Sequence, residues 1–203
     1  MKKGLIIAIL LCVIVTITSC SFKDNLGNTY LPDESSHISY NGRFLWDEGS
    51  VETLIELHIV QIAELKDGVL YTFILDDTVV DANVEFSLGD RKNLGYFYVQ
   101  KDRIYKFSFS EERKDKFLSD SILPDDCAIV CQDEEYEDAI GKDERGWHEY
   151  ILIKGNRCEY HGYSDLTETG FYERFIWEKE KGLVEYKSGF GAEKNDIELK
   201  QIG

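Results

Sequence analysis

From Ile38 onward the chain is written largely in twos. Apolar and polar positions alternate over short runs, and a period of two is the signature of half-buried strands. Tyr96-Phe97-Tyr98-Val99 and Ile104-Tyr105-Lys106-Phe107 are two such runs, joined by the polar tip Lys101-Asp102-Arg103, which predicts a hairpin. A second hairpin is centred on Gly155-Asn156, a two-residue turn that sets the register: Lys154 faces Arg157, Ile153 faces Cys158 and Tyr150 faces His161. Trp147, Ile151, Ile153, Cys158 and Tyr160 then share one face, the predicted core face. A third joins Phe171–Trp177 to Leu183–Tyr186 through the Lys181-Gly182 region, and Ser188–Ala192 leads into a closing strand near Asp196–Ile202.

Upstream, the apolar and aromatic residues of Ile38–Trp46 bracket Asn41-Gly42, a dipeptide that favours a tight turn. Val51–Leu65 fits both helical and alternating spacing. The β-branched run Val69–Leu75 directly after Asp67-Gly68 favours strand, and with it a further hairpin. Ser110 offers a helix N-cap ahead of Glu111–Leu118, with acids in the first turn. Cys127–Cys131 reads as a strand and Gln132–Arg145 as an acidic loop. Strands linked by short turns, with one short helix, predict a mainly β protein, an antiparallel sandwich or open barrel built from hairpins.

The first twenty residues follow a different grammar. Met1-Lys2-Lys3 is a charged start, and Gly4–Ser19 is an apolar run somewhat short for a permanent span, so it reads as a secretory signal. Its end, Ile17-Thr18-Ser19-Cys20, resembles the lipobox of bacterial lipoproteins. That resemblance implies lipid attachment at Cys20, and two or three acyl chains give lasting anchorage. The expected organisation is a signal peptide over 1–19, a lipidated cysteine and flexible tether over 20–37, and a single β-rich extracytoplasmic domain over 38–203. The expected address is the cell membrane or the outer membrane, and Ser21 behind the cysteine favours the latter in a two-membrane cell. Gly182–Ala192 resembles the C-terminal ends of small uncharacterised lipoproteins of low-GC bacteria, a resemblance that implies no activity.

Composition narrows the partners. The chain of 203 residues carries 39 acidic and 23 basic side chains, a formal charge of −16. Nucleic acid is disfavoured, since phosphate binding needs Lys and Arg that no stripe here supplies. Anionic headgroups are repelled too, so the membrane is held through the lipid anchor alone. Aromatic residues make up 13% and Pro only two positions, which marks the domain as globular.

Candidate chemistry is sparse. An extended 127–131 segment places Cys127 and Cys131 about 13 Å apart, too far to bridge. Cys158, on the core face of its hairpin, can meet either one from a neighbouring strand, so a disulfide of Cys158 with Cys127 or Cys131 stands against three buried thiols. His148 and His161 fall on the polar face as diagonal neighbours with Glu159 beside them. They are the candidates for a metal or proton-transfer site, and two solvated imidazoles is the plainer reading. His58 reads as a hydrogen-bonded core residue. The acidic loop lacks the ligand spacing of a calcium site. No nucleophile elbow, metalloprotease helix or phosphate loop occurs, and no cofactor is expected. The functional expectation is a non-catalytic envelope module binding a protein or small-molecule ligand, with exposed aromatics and acids as its contact surface. The alternatives are an inhibitor or immunity-type protein occupying a basic partner, or a hydrolase acting on envelope material.

Overall fold

The computed structural model describes residues 27–31, 37–47, 49–77, 88–134, 141–142, 146–164, 170–191 and 195–203. Its strands are β1 (His37–Trp46), β2 (Gly49–Leu65), β3 (Gly68–Asp77), β4 (Asn93–Val99), β5 (Arg103–Phe107), β6 (Ala128–Gln132), β7 (Gly141–Lys142), β8 (Trp147–Lys154), β9 (Arg157–Ser164), β10 (Phe171–Glu178), β11 (Gly182–Phe190) and β12 (Asp196–Gln201). An α-helix, α1 (Glu111–Asp120), lies between β5 and β6. The strands form a single antiparallel sheet in the order β6-β5-β4-β3-β2-β1-β12-β11-β10-β9-β8-β7. Two meanders are thus joined side by side where β1 pairs with β12. The end strand β6 comes back against β9, so the sheet curls into a nearly closed barrel. No helix among the described residues is long and apolar enough to cross a membrane.

The alternation in the sequence becomes the inside and outside of this barrel. On β1, Ile38, Tyr40 and Phe44 are buried while Ser39, Asn41 and Arg43 are exposed. Phe73, Phe97, Phe175, Trp177 and Tyr186 converge from other strands in the same core. β4 breaks the pattern, being buried from Leu94 to Val99 on both faces. Its outer side, with Leu70, Tyr96, Tyr98 and Phe107, is covered by Phe117 of α1 in a second core. The predicted cap holds this helix in place: the Ser110 side chain accepts a hydrogen bond from the Arg113 backbone N–H at 3.4 Å. The far end closes on Ser121, in the left-handed region at φ 56°, whose N–H donates to the Phe117 carbonyl at 2.8 Å.

The hairpin at Gly155-Asn156 has the predicted register, with Lys154, Ile153 and Tyr150 opposite Arg157, Cys158 and His161. Asn41-Gly42 does not turn. β1 runs through it, and the reversal comes after Trp46, which faces Gly49. Gly42 serves space rather than a left-handed backbone, because a Cβ there would lie 2.7 Å from Ile55 Cγ1 and 3.0 Å from the Phe44 ring.

Part of the segment expected as tether over 20–37 packs on the domain. Within it, Tyr30 and Leu31 are buried in the barrel core. Asn28 Nδ2 donates to the Gln100 carbonyl at 2.7 Å, and the Glu180 N–H donates to the Thr29 carbonyl at 2.7 Å. Residues 27–31 therefore belong to the domain and close the barrel end formed by the β4–β5 and β10–β11 turns. Cys20 and most of the acidic loop lie outside the described residues. His58 is not a core residue either. Its side chain sits on the outer side of β2 at 27% exposure, with Nε2 3.5 Å from Asp76 Oδ2. The apolar neighbours that suggested burial point the other way on the alternating strand.

Gly42→Val should cost about 1–3 kcal/mol by overpacking, lowering the urea midpoint without changing the slope. Asn41→Ala, at an exposed strand position, should leave the midpoint within about 0.5 kcal/mol of the parent.

Candidate functional site

At the end of the barrel opposite residues 27–31, the aromatic filling gives way to polar side chains. β5 alternates so that Tyr105 and Phe107 face the helix while Ile104 and Lys106 face inward. Lys106 therefore enters the barrel between Phe97 of β4 and Ala128 of β6. Its Nζ lies 2.8 Å from Glu173 Oε2 and 5.6 Å from the Phe175 ring centroid. Glu173 is held from its other oxygen as well, since the Tyr186 hydroxyl donates to Oε1 at 3.2 Å.

Glu149 of β8 enters on the same face. It is opposite Gly162 of β9, which in turn is opposite Glu173 of β10, so the two carboxylates stand two strand spacings apart, about 10 Å at the Cα level. Gly162 is required by what crosses it: a Cβ there would lie 2.4 Å from Trp147 Cζ2 and 2.7 Å from the Tyr160 hydroxyl. The vacant space admits a relay. The Trp147 indole N–H donates to the Tyr160 hydroxyl, which donates to Glu149 Oε2 at 3.1 Å. Burial and the adjoining carboxylates push the Tyr160 and Tyr186 hydroxyls well above the ordinary phenol range, so both stay protonated and act as donors.

Lys106, Glu149, Tyr160 and Glu173 line a cleft of about 470 Å³ between β5–β6 and β8–β10. Trp147 and Phe171 form its aromatic wall, their rings stacked at 6.3 Å and 19°. At the rim, Asp126 Oδ2 accepts from the Ser108 hydroxyl at 2.6 Å and pairs with Arg113 of α1. A depression of the same volume on the outer face of β1, β2 and β12 is lined by Arg43, Glu52, Glu198 and Lys200 and has no aromatic wall.

The site residues expected from sequence fall elsewhere. His148 stacks on Tyr163 at 4.9 Å and His161 on Tyr150 at 4.6 Å, each against its cross-strand partner. Glu159 is engaged by Arg174 and Arg157, both at 3.1 Å. Burial pushes its carboxyl up, but the two guanidinium groups outweigh this and hold it below the usual range. Among the described residues no three His, Cys, Asp or Glu side chains converge as metal ligands. All three thiols are free; Cys131 and Cys158 are in hydrogen-bonding contact, while Cys127 lies at the cleft. Burial, then Asp126, pushes the Cys127 thiol up to about 12. Among the described residues Phe109 and Tyr163 are the aromatic side chains left largely exposed, and most of the others are buried in the two cores or half-buried at the rim and on the outer face.

The inward Lys106, Glu149 and Glu173 were missed because single polar residues inside apolar runs read as outward positions. The signal for Glu149 was nonetheless available. It shares the parity of Trp147, Ile151 and Ile153, which puts a carboxylate on the core face of a hairpin whose register was already set.

Fold and cleft together define, among the described residues, an antiparallel barrel closed at one end and carrying an acceptor-rich cleft at the other. No family model matches the chain, and no curated protein matches it. Two solved structures are similar to it in part. One, from Bacteroides fragilis, is described as a candidate exported protein with a YmcC-like fold; at 9% identity the match covers 81% of this chain and 92% of that one, with a TM-score of 0.34. The other is a candidate lipoprotein of Parabacteroides distasonis, at 9% identity over 86% of this chain and 97% of that one, with a TM-score of 0.35. Neither carries a residue role over to this chain.

Lys106→Ala should cost about 2–4 kcal/mol by stranding the Glu173 carboxylate in the barrel, and Lys106→Met with Glu173→Gln should recover most of it in chemical denaturation. His161 gives a pH dependence. Burial, and then Arg174, hold its imidazole below the ordinary value, so on acidification the unfolded chain takes up the proton first. Stability should therefore fall as pH drops below about 6.5, the unfolded histidine value. In His161→Gln the slope of stability against pH between about 5 and 6.5 should flatten.

Proposed function

We propose that this protein is a lipid-anchored, non-catalytic envelope module that binds a small saccharide-like ligand in the mouth of its barrel. The observation that carries the reading is the cleft itself: a concave volume of ligand size in which a stacked aromatic pair faces fixed hydrogen-bond acceptors. Trp147 and Phe171 offer apolar faces to a sugar ring. Glu149, Ser108 and Ser164 offer polar groups to its hydroxyls. Among the described residues Asp125 and Glu149 form no ion pair, which leaves the described mouth negative and suits neutral or amine-bearing rings better than anionic ones.

Binding is favoured over hydrolysis by how Glu173 is held. Both its oxygens are taken, by Lys106 and by Tyr186, which suits a fixed acceptor rather than a group that must deliver and recover a proton. The address rests on the apolar N-terminal run and the Ile17-Thr18-Ser19-Cys20 pattern, with Cys20 as the acylated residue. An inhibitor of a basic partner would call for a flat exposed contact face, and most of the aromatic residues described are buried in the two cores instead.

The test is titration of the purified protein with neutral monosaccharides, disaccharides and amino sugars, read by tryptophan emission and by Tm. Saturable Tm increases are expected for at least one neutral or amino sugar. Trp147→Ala should abolish them while retaining a cooperative melt, with affinity reduced at least tenfold. Absence of any saturable shift across the panel would remove the saccharide assignment.

A further inference from the structure

Two thiols meet where the sheet comes back on itself. Cys131 is the fourth residue of β6, the end strand, and Cys158 the second of β9. Both are fully buried, Cys131 opposite Ile104 on one side of the seam and Cys158 between Ile153 and Trp177 on the other. Among the described residues β6 has a backbone ladder only to β5, so what joins it to β9 is side-chain contact. Within that contact the two thiols are in hydrogen-bonding reach of each other, and Cys158 Sγ also receives the Gln132 backbone N–H.

We propose that Cys131 and Cys158 become joined by a disulfide, a covalent clasp that fixes β6 to β9 and closes the barrel. Oxidation removes the two S–H protons and forms one S–S bond. The two electrons pass to a small-molecule or protein disulfide, which leaves as two thiols. One thiolate attacks the disulfide oxidant and releases its first thiol, and the other cysteine resolves the resulting mixed disulfide, releasing the second. Because neither sulfur is exposed in the folded barrel, exchange takes place during folding, before β6 docks. Cys127 lies at the cleft on the other side of Ala128 and keeps its thiol, which settles the odd count. That an oxidant is present in the cell rests on the proposed export; the capacity of the pair to bridge does not.

Two measurements separate these claims. The full chain, isolated from its membrane, is denatured with N-ethylmaleimide and digested, and the cysteine peptides are read by mass spectrometry. The expected result is a linked Cys131–Cys158 peptide and alkylated Cys127. The same protein is then reduced, unfolded and refolded with oxidised glutathione, where the same linkage should form and raise Tm by roughly 5–10 °C over the reduced form. The Tm gain should vanish in Cys158→Ser and persist in Cys127→Ser. If the isolated protein is reduced but the linkage forms on refolding, the export reading fails and the clasp stands. If Cys131 and Cys158 both remain alkylatable after oxidative refolding, or if either pairs with Cys127, the clasp is overturned.

Discussion

A sheet that curls on itself has to fill its own inside, and here aromatic rings fill it. Phe73 stacks on Phe97 at 4.0 Å, Phe97 meets Phe175 edge-on at 5.8 Å, and Phe175 reaches Tyr186 at 5.0 Å. These residues come from β3, β4, β10 and β11, so the ring contacts tie the two meanders together across the interior as well as along the β1–β12 ladder. An abundance of Phe, Tyr and Trp is what a barrel of this width needs, because smaller side chains would leave voids. The same demand explains why so few rings remain outside.

The polar mouth is the complement of that packing. Where the rings stop, inward positions continue, and the charged side chains occupying them are Lys106, Glu149 and Glu173, which are costly to leave without partners. The Lys106–Glu173 pair and the two tyrosine donors satisfy them. Each of these acceptors is held rigidly by a residue on another strand, which is where selectivity for the proposed ligand would arise. On the opposite side of the sheet, α1 performs a simpler task, converting the outer face of β3–β5 from an exposed apolar surface into a second core.

Local signals were the legible ones. The register of the Gly155-Asn156 hairpin, the Ser110 cap and the strand character of Val51–Leu65 follow from neighbours within a few residues, and the antiparallel open barrel follows from adding them up. What was not legible depends on partners far away in sequence. Asn41-Gly42 looks like a turn until Ile55 and Phe44 are seen to occupy the space a Cβ would need. Residues 27–31 look like a spacer because their turn-forming composition says nothing about Gln100 and Glu180, which hold them. The encounter of Lys106 with Glu173, and the choice of Cys131 over Cys127 as the neighbour of Cys158, are set by which strands the closure brings together.

The location of residues 27–31 also orients the molecule. The chain enters the barrel at its sealed floor, among the β4–β5 and β10–β11 turns, whereas Trp147 and Glu149 stand at the opposite pole. With acyl chains on Cys20, as proposed, the bilayer lies beneath the floor and the opening looks outward, so a solute arriving from the surroundings reaches the rim without passing between protein and lipid.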